Sequence, residues 1–145
     1  MIEIESETLQ RIREAAEAAF PEECCGLLIG RDLGGGNRRI ERVVASPNVA
    51  ADDRHQRFEI DPQIRFDTMR ALRGGPARIL GHYHSHPGHP ALPSASDLAQ
   101  AWEPDLVWLI TAVAGGCATE TRAHVINSAT GKFSEVALPC IDPEA

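Results

Sequence analysis

Residues 81–97 read GHYHSHPGHPALPSASD, a stretch that holds four of the six histidines of the chain and closes on a carboxylate. Neutral imidazole nitrogen and carboxylate oxygen are the groups that hold zinc in catalytic sites, where three protein ligands leave a fourth position for water. Along an extended strand, residues two apart face the same way. His84 with His86, or His82 with His84, can therefore reach one ion from a single strand end. A third ligand must arrive from another element. Asp97 follows a stiff loop, Pro87 to Pro93, and falls in the first turn of a helix beginning at Ser94, where the macrodipole favours an ionised carboxylate. Each half of the pattern has an ordinary reading. Ser94-x-x-Asp97 is close to a capping box, and a lone His-x-His is most often a solvated pair. A cap does not require two same-face histidines one loop away, so the conjunction points to a metal site.

Working outward, an apolar strand is expected from Arg78 into His84 and a second, strongly apolar one from Leu106 to Ala114. Between them the Ser94 helix is expected to reach about Trp102. Upstream, Ser6 is read as the cap of a helix with Leu9, Ile12, Ala16 and Ala19 at helical spacing, ended by Pro21. Cys25 to Gly30, CGLLIG, reads as a buried strand, Asp32 to Asn37 as a hairpin-like turn, and Arg39 to Ala45 as the return strand. A short strand from Arg57 to Ile60 leads to Asp61-Pro62, the start of a helix carrying Ile64, Phe66, Met69 and Leu72 and stopping at Gly74-Gly75. Glu120 to Asn127 and Lys132 to Leu138 read as a closing antiparallel pair. Irregular alternation of strands and helices predicts one α+β domain over residues 1–145, a mixed, largely antiparallel sheet with helices packed on it.

Composition narrows the function. A chain of 145 residues with 43% hydrophobic and 24% charged residues has the make-up of a globular domain with one core. Its net charge of −7 argues against nucleic acid, which is held by clustered Lys and Arg. MIEIESETLQ lacks the basic start and apolar run of a signal peptide, and no apolar stretch approaches a membrane span, so a cytoplasmic protein with no membrane partner is expected. Cys24, Cys25, Cys117 and Cys140 form no C-x-x-C pair, which fits free thiols in a reducing compartment.

The order His84-x-His86, seven residues, Ser94-x-x-Asp97, set in Y-H-S-H-P, resembles the JAMM (MPN-plus) metallopeptidase motif. That family also carries a glutamate shortly before a Cys-Gly-Leu-Leu-like strand, and PEECCGLLIG matches with Glu23. The likeness runs from the first helix through RFEIDP, residues 57–62, to the apolar strand after Pro104. It implies the MPN fold, a curved sheet with a cytidine-deaminase-like architecture. It also implies a single Zn2+ per chain on His84, His86 and Asp97, the one pair that meets the spacing to Ser94 and Asp97. One departure is His82, where relatives often carry a bulky aromatic.

The roles implied are Glu23 as the general base that takes and returns a proton, and Ser94 as the hydroxyl that donates to the developing oxyanion. Capping and this donation would draw on the same Ser94 proton. Apart from the resemblance, Glu23 reads as a solvated turn residue like Glu22. Ser85 is expected to face away from the ion, His89 to be exposed, and His55 and His124 to have no partner. Cys25 reads as a core residue, Cys24 as half-exposed, and Trp102 and Trp108 as core aromatics. The implied substrate is a ubiquitin-like or sulfur-carrier protein or a peptide, cut after a C-terminal glycine. Rivals are a non-catalytic MPN scaffold that binds proteins, a cysteine hydrolase using Cys24 or Cys25, and a non-haem iron site.

Overall fold

The structure is a computed structural model that describes residues 1–101, 103 and 105–142. Among these, the elements in chain order are β1 (Ile2–Glu5), α1 (Ser6–Ala19), β2 (Cys25–Gly34), β3 (Asn37–Ser46), α2 (Pro62–Leu72), β4 (Arg78–Pro87), α3 (Ala95–Gln100), β5 (Val107–Ala114), β6 (Cys117–Asn127), β7 (Lys132–Val136) and β8 (Cys140–Ile141). The strands form one sheet in the order β7-β6-β5-β4-β2-β3-β1-β8. Hairpins make the β2–β3, β5–β6 and β6–β7 pairs antiparallel, and β2 also runs antiparallel to β4. The β4–β5 pair is parallel because the chain must cross over through α3 to return, as parallel neighbours require. The α+β class and mixed sheet are as the sequence predicts.

The main core joins Ile12 and Ala16 of α1 to Leu28, Ile40, Leu80, Tyr83, Leu109 and Val113 on the sheet. Burial of Thr8, Ile12 and Ala16 follows from their four-residue spacing on one helical face. Gly81 sits where β4 meets β5 so closely that a Cβ would overlap the Val107 backbone, which cannot yield. Pairing between β2 and β4 shifts at Leu28/Ile29. This resets the alternation, so that Leu80 joins Tyr83, three residues on, in the α1 core.

Several expectations change. Ser6 is the first helical residue rather than the cap; Glu5 holds the cap position without a side-chain hydrogen bond, and the Ser6 hydroxyl donates to Asp142. Residues 2–5 are a strand between β3 and β8, invisible locally because both partners are distant in the chain. The Arg57–Ile60 strand shrinks to one bridge, Asn48 to Ile60, because the Asn48 side chain takes the Arg57 carbonyl and the Glu59 N–H that a ladder would use. Strand β6 begins at Cys117, after a two-glycine turn with both φ angles positive, and β7 ends at Val136. Phe66 and Met69 of α2 face solvent, 52% and 58% exposed, while Thr68 is buried. Helix α3 ends at Gln100, and Trp102 lies outside the described residues.

Candidate metal centre

Strand β4 presents His82, His84 and His86 on one face, and Ser94 caps α3 so that Asp97 turns back toward them. The cap is reciprocal: the Ser94 Oγ accepts the Asp97 N–H at 3.1 Å and the Asp97 Oδ2 accepts the Ser94 N–H at 2.9 Å. That same Oδ2 lies 3.4 Å from His84 Nε2 and 3.1 Å from His86 Nε2, and the two Nε2 atoms are 3.1 Å apart. Four-coordinate zinc with bonds of about 2.0–2.1 Å sets its ligand atoms roughly 3.3–3.4 Å from one another. The three atoms have that mutual spacing, and two nitrogens and a carboxylate oxygen facing one point form a donor set that a cation satisfies.

The second ring nitrogen of His86 supports this arrangement. Its Nδ1 lies 3.0 Å from the Pro90 carbonyl, which can only accept, so Nδ1 carries the proton and the Nε2 of the neutral ring keeps its lone pair for the centre. The His84 ring stacks on Phe58 at 4.2 Å between centroids, and its Nδ1 is buried without a partner. Burial pushes the His84 pKa down against the pull of Asp97. Asp97 is held well below the usual carboxylate range: its burial favours the neutral form, but the facing His84 and His86 rings and the Ser94 backbone N–H outweigh it. For His86, burial also favours the neutral ring, but Asp97 and the Pro90 carbonyl shift it upward.

Glu23 is not the solvated turn residue that its neighbourhood in the sequence indicates. It is 3% exposed, and a carboxylate oxygen comes within 4.8 Å of ring nitrogens of both His84 and His86. Two overlapping trios that could hold an ion therefore share the two histidines, one completed by Asp97 and the other by Glu23. Their electrostatics separate them. Burial pushes the Glu23 carboxyl up to about 8, with His86 opposing and Asp97 and Asp53 adding to the rise, and among the described residues its Oε1 has no hydrogen-bond partner. Asp97 is thus the permanent anion, and Glu23 a group able to change protonation near neutral pH. A cleft of about 430 Å3 opens over Glu23, His86 and Ser94, walled by Gln56, His89 and Leu92.

The same face corrects further expectations. Cys24 is buried, and burial raises the thiols of Cys24 and Cys25 to about 11 and about 12, which removes the thiolate that a cysteine hydrolase needs. His124 does have a partner: its Nε2 donates to the Ala91 carbonyl at 2.9 Å, so adjacent loop carbonyls, Pro90 and Ala91, are each taken by an imidazole. Trp108 is buried as expected, packed edge-on against His82 at 4.3 Å. The cap uses the Ser94 Oγ only as an acceptor, and among the described residues nothing takes its own proton, so capping does not compete with donation.

The family profile described as prokaryotic homologs of the JAB domain matches residues 5–126, most of the chain and all of the centre. The chain belongs to this JAB-domain family. A desampylase from Haloferax volcanii is 34% identical over 102 residues, 70% of each protein. A probable TtuB-protein conjugate cleaving protease from Thermus thermophilus is 37% identical over 81 residues, 56% of this chain and 50% of that one. A solution structure of a Desulfitobacterium hafniense protein superposes with a TM-score of 0.83 at 29% identity, covering 98% of this chain and 94% of that one. Among JAB-domain proteins the chain stands with JAMM-type hydrolases, since two of these relatives are named as enzymes, a desampylase and a conjugate-cleaving protease. No helix among the described residues is long and apolar enough to cross a membrane.

Proposed function

We propose that this JAB-domain protein is a zinc-dependent peptidase or isopeptidase that hydrolyses the amide bond after the C-terminal glycine of a ubiquitin-like or sulfur-carrier protein. The convergence of His84 Nε2, His86 Nε2 and Asp97 Oδ2 at 3.1–3.4 Å beside a buried, unpartnered Glu23 carries the reading. Names of the relatives support the substrate class, one of them specifying conjugates of a protein. His84, His86 and Asp97 would hold the zinc, which would supply Lewis acidity there, polarising a carbonyl and lowering the pKa of water from 15.7 toward about 7.

The chain does the rest. Glu23, whose carboxylate stands within 4.8 Å of ring nitrogens of both histidines, accepts the proton of the attacking water and delivers it to the departing amine. Ser94 donates its free hydroxyl proton to the carbonyl oxygen as negative charge gathers on it. Leu92 and Pro93 line the cleft and displace water from the reacting bond.

The test is to purify the protein without added metal, measure zinc per chain, and follow cleavage of a Gly-Gly-tailed ubiquitin-like fusion. About one zinc per chain is expected, lost in His84→Ala and kept in Glu23→Gln, with cleavage abolished in both. Zinc-free protein that still cuts overturns the reading.

A further inference from the structure

Glu23 lies outside any helix or strand, between the end of α1 and the start of β2. Among the described residues no hydrogen bond holds its carboxyl, so its backbone must fix where that carboxyl sits. Four bonds do so. The Glu23 N–H donates to the Arg54 carbonyl at 2.8 Å, and the Glu23 carbonyl accepts from Asn48 Nδ2 at 3.1 Å. One residue on, the Cys24 N–H donates to Ser85 Oγ at 2.8 Å, and the Ser85 N–H donates back to the Cys24 carbonyl at 3.3 Å.

The two side chains in this set differ from ordinary packing residues. Asn48 uses all four hydrogen-bonding positions of its amide: Nδ2 donates to the Glu23 and Arg57 carbonyls, and Oδ1 accepts from the Ala50 and Glu59 N–H groups. It thereby ties Glu23 to the segment that brings Phe58 against the His84 ring. Ser85 is fully buried and stands between His84 and His86, so any shift of the two histidines moves its hydroxyl with them. A general base must keep its geometry to within a fraction of an ångström relative to the group it serves.

We propose that Ser85 and Asn48 are positioning residues, a two-sided clamp that sets the Glu23 carboxyl against the histidine pair. The proposal rests on the reading of Glu23 as the proton carrier. Neither residue touches the ion or the reacting bond; each acts through the Glu23 backbone. Ser85 references it to β4 and Asn48 to the 50–59 segment.

The experiment uses the full chain loaded with zinc. Ser85→Ala is expected to keep its zinc and its KM while kcat falls about 10- to 100-fold, the usual cost of losing an outer hydrogen bond that orients a catalytic group. Hydrogen exchange at the Cys24 amide should quicken in the same variant, a readout independent of turnover. Ser85→Thr keeps the acceptor oxygen and should restore most of the rate. Asn48→Asp keeps both acceptor bonds but not the donation to the Glu23 carbonyl, and it should reproduce the loss of kcat with zinc retained. It serves as the deciding variant if Ser85→Ala does not fold. Wild-type kcat in Ser85→Ala and Asn48→Asp beside an inactive Glu23→Gln overturns the clamp alone. Loss of zinc in step with rate also overturns it, since the residues would then support the ion. Full activity in Glu23→Gln overturns the proton-carrier reading, and the clamp falls with it.

Discussion

His82 and His84 are two residues apart on one face of β4, both buried, yet they have opposite surroundings. His82 is boxed by Phe58 and Trp108, its Nδ1 has no partner, and burial drives its pKa down to about 3. His84 points its Nε2 at another imidazole and a carboxylate. Burial is common to both; what separates them is whether a second element delivers an anion. Helix α3 returns Asp97 to the outer end of the strand, while the inner end is closed by aromatic side chains. A histidine-rich strand thus becomes a candidate centre only over the part of its length that a carboxylate can reach.

Mutations along the strand test that contrast, and the largest effect belongs to His84. His84→Ala should abolish bound zinc, read by metal analysis, and lower cleavage by about a thousandfold or more, since removing a ligand removes the Lewis acid. Next comes Glu23 in zinc-stripped protein. Its carboxyl has a folded pKa near 8 against an ordinary value of 4.5. Since the folded state prefers the protonated form, stability is fullest below pH 4.5 and declines as pH rises toward 8. Thermal melts of stripped protein should therefore show Glu23→Gln matching wild type near pH 4.5 and exceeding it at pH 8, by on the order of 2–4 kcal/mol.

A smaller effect is expected from Asp97→Asn. The amide oxygen can still accept the Ser94 N–H and offer a neutral donor, so α3 should stay capped while zinc affinity drops measurably, short of the loss in His84→Ala, in a chelator competition. The smallest effect should come from His82→Phe. Replacing an unpartnered polar ring by an apolar one should leave zinc per chain unchanged and shift stability by no more than about 1 kcal/mol, in the stabilising direction. Zinc lost in that variant would erase the distinction between the two ends of the strand.

Much of this was legible in the chain. Local periodicity exposes β2, β5 and the face of α1, and spacing exposes the cap at Ser94, because each depends on neighbours within a few residues. Where local pattern and structure differ, a partner outside the segment is responsible. Residues 2–5 become a strand through β3 and β8, Arg57–Ile60 gives up its ladder to Asn48, and His124 finds Ala91 across 33 residues.

Chain order establishes which donor types occur, how they are spaced, and that two imidazoles on one strand end could share a face. Packing between distant segments settles everything else about the centre. It brought Glu23 to the histidines across 61 residues by pairing β2 with β4, stripped that carboxyl of water, and closed His82 away behind aromatic rings. Periodicity is a property of one segment, whereas desolvation and charge coupling are sums over everything that surrounds a group, and those surroundings exist only once distant segments have packed together.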